Sequence, residues 1–444
     1  MRLKILSKQN FIYLASFLII IIISLIPFHA FLTVWLSSLV GHYTLLRLWK
    51  EFLLVIILLI GCYFLFFDKS IRRLLLKDRL VLLIILFLAI QVIFGVVSYI
   101  NKDVSKKALF YGLLINSRYF IFFGLALIIS LKNKNLKNKI LKIVLYPSVL
   151  VILFGILEVF VLPHNFLSHF GYGPKTILPF ETINSNSKYV RILSTLRGAN
   201  PLGAYLIVPI SLLVSLFIVK KKKIKIAILI TLGLIVLFFT FSRSAMLGLL
   251  ISVCIIVFYS IKSKQIRKYL FILGFALILI FGAGIYAFRN NHHLQNFLYH
   301  TQSNSKIKTT SDQAHLKALY NGLKSIAKEP LGKGPGTSGP ASIYNNHPAR
   351  IPENYYIQIG EETGILGLLT YLAITFIVAY RLYKDRSNYL SLFLLASLVG
   401  ISVVNMFLFG WSDDTLSYLW WGICGIHFAS IYNPRLSKSK QKVA

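Results

Sequence analysis

Acidic residues are scarce in this sequence. Its 444 residues include 14 aspartates and glutamates against 48 lysines and arginines, so the formal net charge at pH 7 is +34. Polar segments are scarce as well, because 57% of the residues are hydrophobic and the mean hydropathy is +0.72. A soluble protein of this length would need far more polar surface to cover its core. The composition therefore excludes a soluble globular enzyme and indicates a protein embedded in a membrane.

Cysteine is nearly absent. Cys62, Cys254 and Cys424 lie inside apolar runs, without the spacing of a disulfide framework or of a metal site. They are expected to be small core residues, and neither a metal ion nor another cofactor is expected. The first apolar run lacks a small-residue cleavage site and further runs follow it, so it is expected to remain in the membrane as an anchor.

Apolar runs recur along the whole chain, and most approach the length needed to cross a hydrocarbon core about 30 Å thick. The sequence therefore predicts an all-α polytopic membrane protein with about 12 transmembrane helices, built as a single integral membrane domain over residues 1–444. No appended soluble domain is expected. The predicted spans are 10–27, 51–67, 80–99, 108–130, 143–162, 201–219, 226–241, 244–260, 269–287, 363–380, 389–410 and 418–432.

Basic residues are concentrated in seven short segments, which hold 29 of the 48 lysines and arginines. By the positive-inside rule these segments face the cytoplasm, which places both termini there. We interpret the charge as a topology signal that contacts membrane lipids, and nucleic acid is not expected as a partner. The segments are 1–10, 68–79, 131–142, 220–225, 262–268, 380–388 and 433–444.

Two long connections are predicted on the exterior side, a first loop at 163–200 and a large loop at 288–362. In the large loop, residues 312–329 place apolar side chains on one helical face, which predicts an amphipathic helix. The glycine-rich stretch 332–336 follows no strand, so it is not a dinucleotide-binding turn; a flexible loop is expected. A further helix is expected to begin near Pro352.

Four arginines could bind an anion. Arg191 and Arg197 precede the sixth span, although both residues could equally be interfacial anchors. Arg243 lies in a very tight turn between two spans, where a desolvated arginine normally has an anionic partner. Arg118 lies within the fourth span, so it indicates either a site or a buried partner.

Three further polar residues could assist a reaction. His315 borders the apolar face of the amphipathic helix, while Glu353 and Asn354 stand at the start of the next helix. Glu353 could simply favour the helix dipole, so a structural explanation stays open for it. Taken together, cations beside a candidate base suit a lipid-linked diphosphate: arginine forks bind phosphate oxygens, and an acceptor hydroxyl would need a base such as Glu353 or His315.

Several segments, in this order and spacing, resemble the O-antigen ligase and O-antigen polymerase superfamily of bacterial polysaccharide assembly. The resemblance covers most of the chain. It is carried by PFHAFL…LRLWKE (27–51), NSRYF (116–120), RILSTLRGANPLGAYL (191–206), FSRSAMLGLL (241–250), EPLGKGPGTSG (329–339) and ENYYIQIGEETGILG (353–367).

The resemblance implies a metal-independent membrane glycosyltransferase of the bacterial cytoplasmic (inner) membrane, active on its exterior or periplasmic face. The donor would be an undecaprenyl-diphosphate-linked oligosaccharide, and the acceptor a glycan or a lipid, such as lipid A core, another repeat unit, or a protein. Arg243 falls on the arginine of the family's Ser-Arg turn, which binds the diphosphate. Arg191, Arg197, Asn354 and Arg118 are the further candidate contacts to diphosphate or glycan.

The sequence departs from the ligases at two positions. His315 stands where a second arginine is expected, and Glu353 precedes Asn354 where the ligases have histidine. These departures weaken the case for a strict lipopolysaccharide ligase. They leave the broader assignment as a polymerase or glycan transferase intact, because glutamate can also serve as the base. Glu353, His315 and Arg243 are accordingly the candidate catalytic residues.

Two other classes of function stay open from the sequence. A transporter or flippase of lipid-linked glycans would often show internal repeats and polar residues near the membrane midplane; no clear repeat is visible, and Arg118 alone lies deep in a span. A non-catalytic scaffold of polysaccharide machinery would tolerate replacement of Arg243 or Glu353.

Overall fold

The structure is a computed structural model that describes residues 8–183, 186–219, 223–261, 263, 265, 268–269 and 311–441, with the backbone alone for 186–188, 311–316 and 433–441. Helices dominate the described residues, which confirms the predicted all-α fold class. The helices are α1 (Lys8–Leu25), α2 (His29–Val40), α3 (Tyr43–Arg47), α4 (Trp49–Phe67), α5 (Lys69–Leu76), α6 (Arg79–Ile100), α7 (Lys106–Lys132), α8 (Leu136–Phe160), α9 (Ala199–Val219), α10 (Ile224–Phe239), α11 (Arg243–Ser260), α12 (Ser311–Lys328), α13 (Tyr355–Lys384), α14 (Tyr389–Val404) and α15 (Asp414–Gln441).

Eleven of the twelve predicted spans coincide with a helix in the described part of the chain, and the span at 269–287 lies, apart from its first residue, outside the described residues. Eight described helical segments are long and apolar enough to cross a membrane. Two shorter apolar helices, α10 and α14, accompany them. The amphipathic helix predicted at 312–329 is confirmed as α12, which ends at Lys328, just before Glu329 and Pro330.

The glycine-rich stretch 332–336 is not a flexible loop, and that prediction is wrong. Two consecutive glutamates of α13 hold it in place. The amide of Lys333 donates to the carbonyl oxygen of Glu361 at 2.9 Å, and the amide of Gly334 donates to that of Glu362 at 2.7 Å. The Glu362 carboxylate accepts from the amide of Gly336 at 2.8 Å. The Gly336 amide therefore has a protein acceptor, the Glu362 carboxylate.

Helix α13 begins eight residues before the predicted span 363–380 because it continues through a kink. At the kink, Gly364 has φ of +63°, which a residue with a side chain rarely adopts. The amide of Ile365 donates to the carbonyl oxygen of Pro330 at 2.9 Å, so the kink is filled by the glycine-rich segment. The kink thus joins the large loop to the helix that follows it.

Polar residues cap several of the long helices. Asp78 and Asn354 accept hydrogen bonds from first-turn amides of α6 and α13, and Ser105 does the same for α7. Such side chains satisfy amides that have no acceptor within the helix. The few polar residues of these segments thus lie at helix starts, where they accept hydrogen bonds from first-turn amides.

One end of the bundle collects three of the basic segments that the sequence assigns to a single side. Lys132, at the end of α7, pairs with Asp68, at the end of α4. Arg381, near the end of α13, pairs with Asp78, at the start of α6, over 2.9 Å. These pairs bring segments 68–79, 131–142 and 380–388 together, as expected if they share one membrane side.

At the opposite end, the predicted first loop 163–200 is structured. It contains an antiparallel pair of strands, β1 (Glu181–Ile183) and β2 (Asn186–Arg191). Thr195 then joins the loop to the start of the chain, because its Oγ1 donates to the carbonyl oxygen of Pro27 at 2.8 Å. The first loop thus packs over the helix ends on which the candidate residues lie.

Candidate active site

The turn between α10 and α11 places Arg243 at a helix N-terminus. Only Thr240, Phe241 and Ser242 separate the two helices, and Phe241 adopts the left-handed conformation with φ of +50°. Such strained backbone is enriched at functional sites. Arg243 is the first residue of α11, and its side chain is exposed. The tight turn expected from the sequence is confirmed.

Ser242 precedes α11 as its N-cap residue, yet its side chain forms no capping hydrogen bond. Its Oγ is buried and has no hydrogen-bond partner among the described residues. First-turn amides and the helix dipole favour an anion at such a terminus. Arg243 therefore stands where the helix itself already supplies partial positive charge.

Arg191 is held against the same turn. Its Nε donates to the carbonyl oxygen of Thr240 at 2.8 Å, and Nη2 donates to Oδ1 of Asn200 at 2.6 Å. Nη1 pairs with the Glu181 carboxylate over 3.1 Å. Burial lowers the pKa of the Arg191 guanidinium, and the neighbouring Glu181 opposes that shift. Arg191 thus locks the β1–β2 loop onto the turn that leads into Arg243.

Glu353 occupies strained backbone just before α13. Its φ is +51°, and its side chain is exposed, whereas non-glycine residues rarely adopt this conformation. Asn354 follows as the N-cap: Oδ1 accepts from the amide of Ile357 at 3.0 Å, and Nδ2 donates to the carbonyl oxygen of Met406 at 2.9 Å. Asn354 therefore has a structural task, while Glu353 faces outward beside it.

The packing of α11 on α14 brings these two features to the same end of the bundle. Gly248 and Gly400 meet backbone to backbone, since a methyl group built on Gly248 would lie 2.6 Å from the carbonyl oxygen of Gly400. Small residues allow such close approach of membrane helices. Ile256, later in α11 than Gly248, packs on Leu392 and Ala396, which come earlier in α14 than Gly400. The two helices therefore run antiparallel.

The antiparallel contact fixes the level of Arg243 relative to the end of α14. Arg243 lies five residues from the Gly248 contact, about 7 Å along the helix, and the α14 C-terminus lies about 6 Å from the same contact. Asn405 directly follows α14, and its backbone carbonyl oxygen accepts a hydrogen bond from the amide of Tyr355 at 2.9 Å. Arg243 and Glu353 are therefore both placed at this end, which we call the site end.

Arg118 lies deeper and has the buried partner that its position in a span suggests. Only 3% of its surface is exposed. It pairs with Asp414 at the start of α15 and with Glu51 at 3.4 Å, and Nη2 donates to the carbonyl oxygen of Ser412 at 2.9 Å. The guanidinium of Arg118 is therefore paired with groups of the protein itself.

Asp414 is the centre of a buried charge network that the sequence reading missed. Besides Arg118, its carboxylate contacts Lys50 Nζ at 2.8 Å and His29 Nε2 at 3.4 Å. Trp49 donates from Nε1 to His29 Nδ1 at 3.0 Å, so we assign the His29 proton to Nε2. Charged dipeptides directly before an apolar span, Lys50–Glu51 and Asp413–Asp414, were the available signal.

Arg197 lies at the mouth of a cavity next to this network. Its Nε pairs with Asp413 Oδ2 at 2.8 Å, and 44% of its side-chain surface is exposed. The cavity has a volume of 170 Å³. Its lining residues are His29, Ala30, Thr33, Tyr43, Arg47, Ile177, Arg197, Asp413, Asp414 and Thr415.

His315 lies on α12, but its side chain falls outside the described residues. The structure thus brings Arg191, Arg243, Glu353 and Asn354 to the site end by direct contacts and helix packing. Arg197 and Arg118 belong to the neighbouring charge network. The catalytic and binding roles of all seven residues stay predictions.

Comparison with known proteins gives one family. Residues 228–372 match the family described as O-antigen ligase, a stretch from α10 into α13 that includes Arg243, His315 and Glu353. No curated protein matches the chain at a significant level. The match confirms the resemblance predicted from the sequence. The matched stretch is about one third of the chain, and over it the chain is similar to the O-antigen ligase family, in line with the predicted resemblance to the O-antigen ligase and polymerase superfamily.

Proposed function

We propose that this protein transfers a glycan from an undecaprenyl-diphosphate carrier to an acceptor at the exterior face of a bacterial cytoplasmic membrane, without a metal ion. The observation that carries the proposal is the position of Arg243 and Glu353 at one end of the bundle, at the starts of α11 and α13. A cation for the leaving group and a base for the nucleophile are the two groups that a direct displacement needs.

Arg243 and the N-terminus of α11 bind the diphosphate. Arginine forks match phosphate oxygens, and helix N-termini favour the same charge. Arg191 keeps this turn in shape through its hydrogen bond to Thr240. As the bond from the anomeric carbon to the diphosphate oxygen breaks, the departing oxygen takes the electron pair. Arg243 stabilises the charge that develops on the diphosphate.

Glu353 accepts the proton of the acceptor hydroxyl while the hydroxyl oxygen attacks the anomeric carbon. Attack from the side opposite the diphosphate inverts the anomeric configuration. Asn354 holds Glu353 at the helix start by capping α13, and His315 on α12 orients the acceptor or assists the base.

Arg118 and Arg197 act at different depths. Arg118 is almost fully buried among protein partners, so its contribution is to hold the start of α15 rather than to touch the diphosphate. Arg197 is partly exposed at the cavity and is free to contact the glycan. Of the four residues that the sequence offers for substrate binding, Arg197 is the one that contacts the ligand, whereas Arg191 supports the turn before Arg243.

Purified protein in liposomes separates this function from the transporter and scaffold alternatives. The liposomes contain a fluorescent undecaprenyl-diphosphate-linked oligosaccharide, and acceptor glycan is supplied at the surface. Mass spectrometry is expected to find lengthened or capped acceptor together with glycan-free carrier diphosphate, in amounts that rise with time. Movement of intact donor across the bilayer without a new glycosidic bond would contradict the proposal and favour a transporter.

A further inference from the structure

The cavity beside Arg197 is built from five separate parts of the chain. Its walls come from α2, α3, the segment before β1 that contains Ile177, the segment that follows β2, and the start of α15. A volume of 170 Å³ exceeds what a single ordered water needs several-fold. The cavity is thus large enough for one ring of a saccharide rather than for a lipid tail or a whole repeat unit.

The polar groups at the cavity have unused hydrogen-bonding capacity. Arg197 uses Nε to pair with Asp413, and its Nη1 and Nη2 make no hydrogen bond with the residues that the structure describes. Asp413 Oδ1 accepts from the amides of Thr415 and Leu416 at 3.0 and 3.2 Å. Its Oδ2 forms the ion pair with Arg197 and no other polar contact with the described residues, so this oxygen can accept a further hydrogen bond.

Asp414 makes this arrangement rigid. Arg118, Lys50 and His29 surround its carboxylate and are each at least nine-tenths buried. Burying so many charges is a poor way to stabilise a fold, because desolvation offsets most of the attraction. A fixed polar wall is, however, what a specific binding site requires, since preorganised groups lose little freedom when a ligand arrives.

The charge balance of the lining selects an uncharged ligand. The lining includes two arginines, Arg47 and Arg197, and two aspartates, Asp413 and Asp414. A diphosphate would meet both carboxylates, whereas a polyol can donate to the carboxylates and accept from the guanidinium. The ring of Tyr43 adds an apolar surface for the less polar face of a sugar.

A short segment, residues 191–197, connects the cavity to the turn before Arg243; we call this segment the strap. At one end of the strap, the amide of Ile192 donates to the carbonyl oxygen of Phe239 at 3.3 Å. Near the other end, the amide of Phe31 donates to the carbonyl oxygen of Thr195 at 3.4 Å, two residues before Arg197. The six steps along the chain from Arg191 to Arg197 span at most about 20 Å. An oligosaccharide bound in the cavity could therefore extend to the proposed reaction centre.

We propose that this cavity binds one sugar ring of a saccharide chain, with Arg197 and Asp413 as its hydroxyl-binding pair and Tyr43 as its apolar wall. The proposal deepens the proposed glycan transfer and rests on it for the identity of the saccharide. That saccharide belongs either to the acceptor or to the donor, and both present the same hydroxyl chemistry.

Saturation-transfer NMR of the full-length protein in detergent tests binding without any need for turnover. The probes are two lipid-free oligosaccharides, the donor's repeat unit and the acceptor's glycan, each released by mild acid. Arg197→Gln and Asp413→Asn are expected to raise the Kd of one probe about tenfold or more, since each removes a charged hydrogen-bonding group. Asparagine can still cap α15, so Asp413→Asn should fold.

Two controls separate this proposal from the transferase assignment. Arg386→Gln, a change at a partly buried residue at the opposite end of the bundle, should leave the Kd of both probes unchanged. Glu353→Gln should abolish transfer and leave saccharide binding intact. If wild-type protein transfers nothing yet binds a probe through Arg197, the transferase proposal fails and the cavity proposal stands.

The probe whose Kd changes identifies whether the saccharide bound in the cavity belongs to the acceptor or to the donor. A larger Kd for the acceptor glycan alone assigns the cavity to the acceptor, and the reverse assigns it to the donor; either supports the proposal. Unchanged Kd values for both probes in both variants would overturn it. Displacement of a bound probe by inorganic pyrophosphate in wild type but not in Arg197→Gln would also overturn it, because the cavity would then be a phosphate site.

Discussion

Arg191 donates a hydrogen bond from Nε to the carbonyl oxygen of Thr240 over 2.8 Å, and so fixes the end of β2 against the turn that leads into Arg243. The other two nitrogens of the guanidinium bind Asn200 and Glu181. A single side chain therefore joins the first loop, the start of α9 and the turn. Its main task in the site is to hold Arg243 in place.

The substitution Arg191→Lys tests this positioning role. A lysine keeps the charge but cannot reproduce three hydrogen bonds in a fixed fork. We expect kcat for glycan transfer to fall about tenfold, with a loss of about 1–2 kcal/mol in the free energy of unfolding. Transfer kinetics and thermal unfolding in the same detergent measure both. Arg350→Lys, an exposed arginine with one ion pair of 3.8 Å, is the matched control. A variant with wild-type kcat would contradict the role.

Removing Arg118 should damage the fold more than any change at the site surface. Arg118→Met leaves Asp414 buried with less compensating charge, and breaking a buried pair costs about 3–5 kcal/mol. We expect a marked drop in the unfolding temperature of detergent-solubilised protein and a low yield of monodisperse protein in size-exclusion chromatography. The double variant Arg118→Met with Asp414→Asn should recover part of the loss. Normal stability of the single variant would show that the network does not support the fold.

The glycine contact between α11 and α14 should set the geometry of the site. Gly248→Leu inserts a side chain where a methyl group already lies 2.6 Å from the backbone of α14, so the helices must separate, at a cost of about 1–3 kcal/mol. We expect transfer to be lost more completely than stability, because the separation moves Arg243 away from Glu353. Gly124→Leu is the control, since a Cβ there meets nothing within 4 Å.

The pair of Asp68 and Lys132 should give a defined pH dependence of stability. Partial burial opposes ionisation of Asp68, but hydrogen bonds from Lys132, Ser70 and the amide of Ile71 outweigh it and hold its pKa well below the usual range. A carboxylate with a lowered folded pKa stabilises the fold above its unfolded pKa of about 3.9, and that stability is lost as the pH falls further. The unfolding temperature of wild type should exceed that of Asp68→Asn at pH 7, and the difference should shrink between pH 5 and pH 3. A constant difference would contradict the pair.

The sequence predicted the helices well because membrane spans are specified by local apolar length. It also predicted the tight turn at Arg243, whereas for Arg118 it left open whether the residue belongs to a site or has a buried partner. The stretch 332–336 was misjudged, since its order depends on Glu361 and Glu362, which follow it by more than twenty residues. Contacts between distant segments leave no periodic trace in a sequence.

The same limit explains the missed charge network. His29 and Lys50 lie near the start of the chain, hundreds of residues before Asp414, and only the packing of α2, α4 and α15 brings the three together. Each looked like an isolated polar residue at the edge of an apolar run. Arg243 was predicted from its tight turn and Glu353 from its place at a helix start, and the family resemblance then added a role for each. Their common end of the bundle became visible only through Gly248, Gly400 and Asn405.

Glycan transfer by Arg243→Ala and Glu353→Gln in liposomes tests the central claim most directly. With a lipid-linked oligosaccharide donor and an acceptor glycan, both variants should insert and fold like wild type, because both side chains are exposed. Each should lower the initial rate of new glycosidic bonds by about 100-fold or more. Wild-type rates in both variants would contradict the assignment of this end of the bundle as the reaction centre.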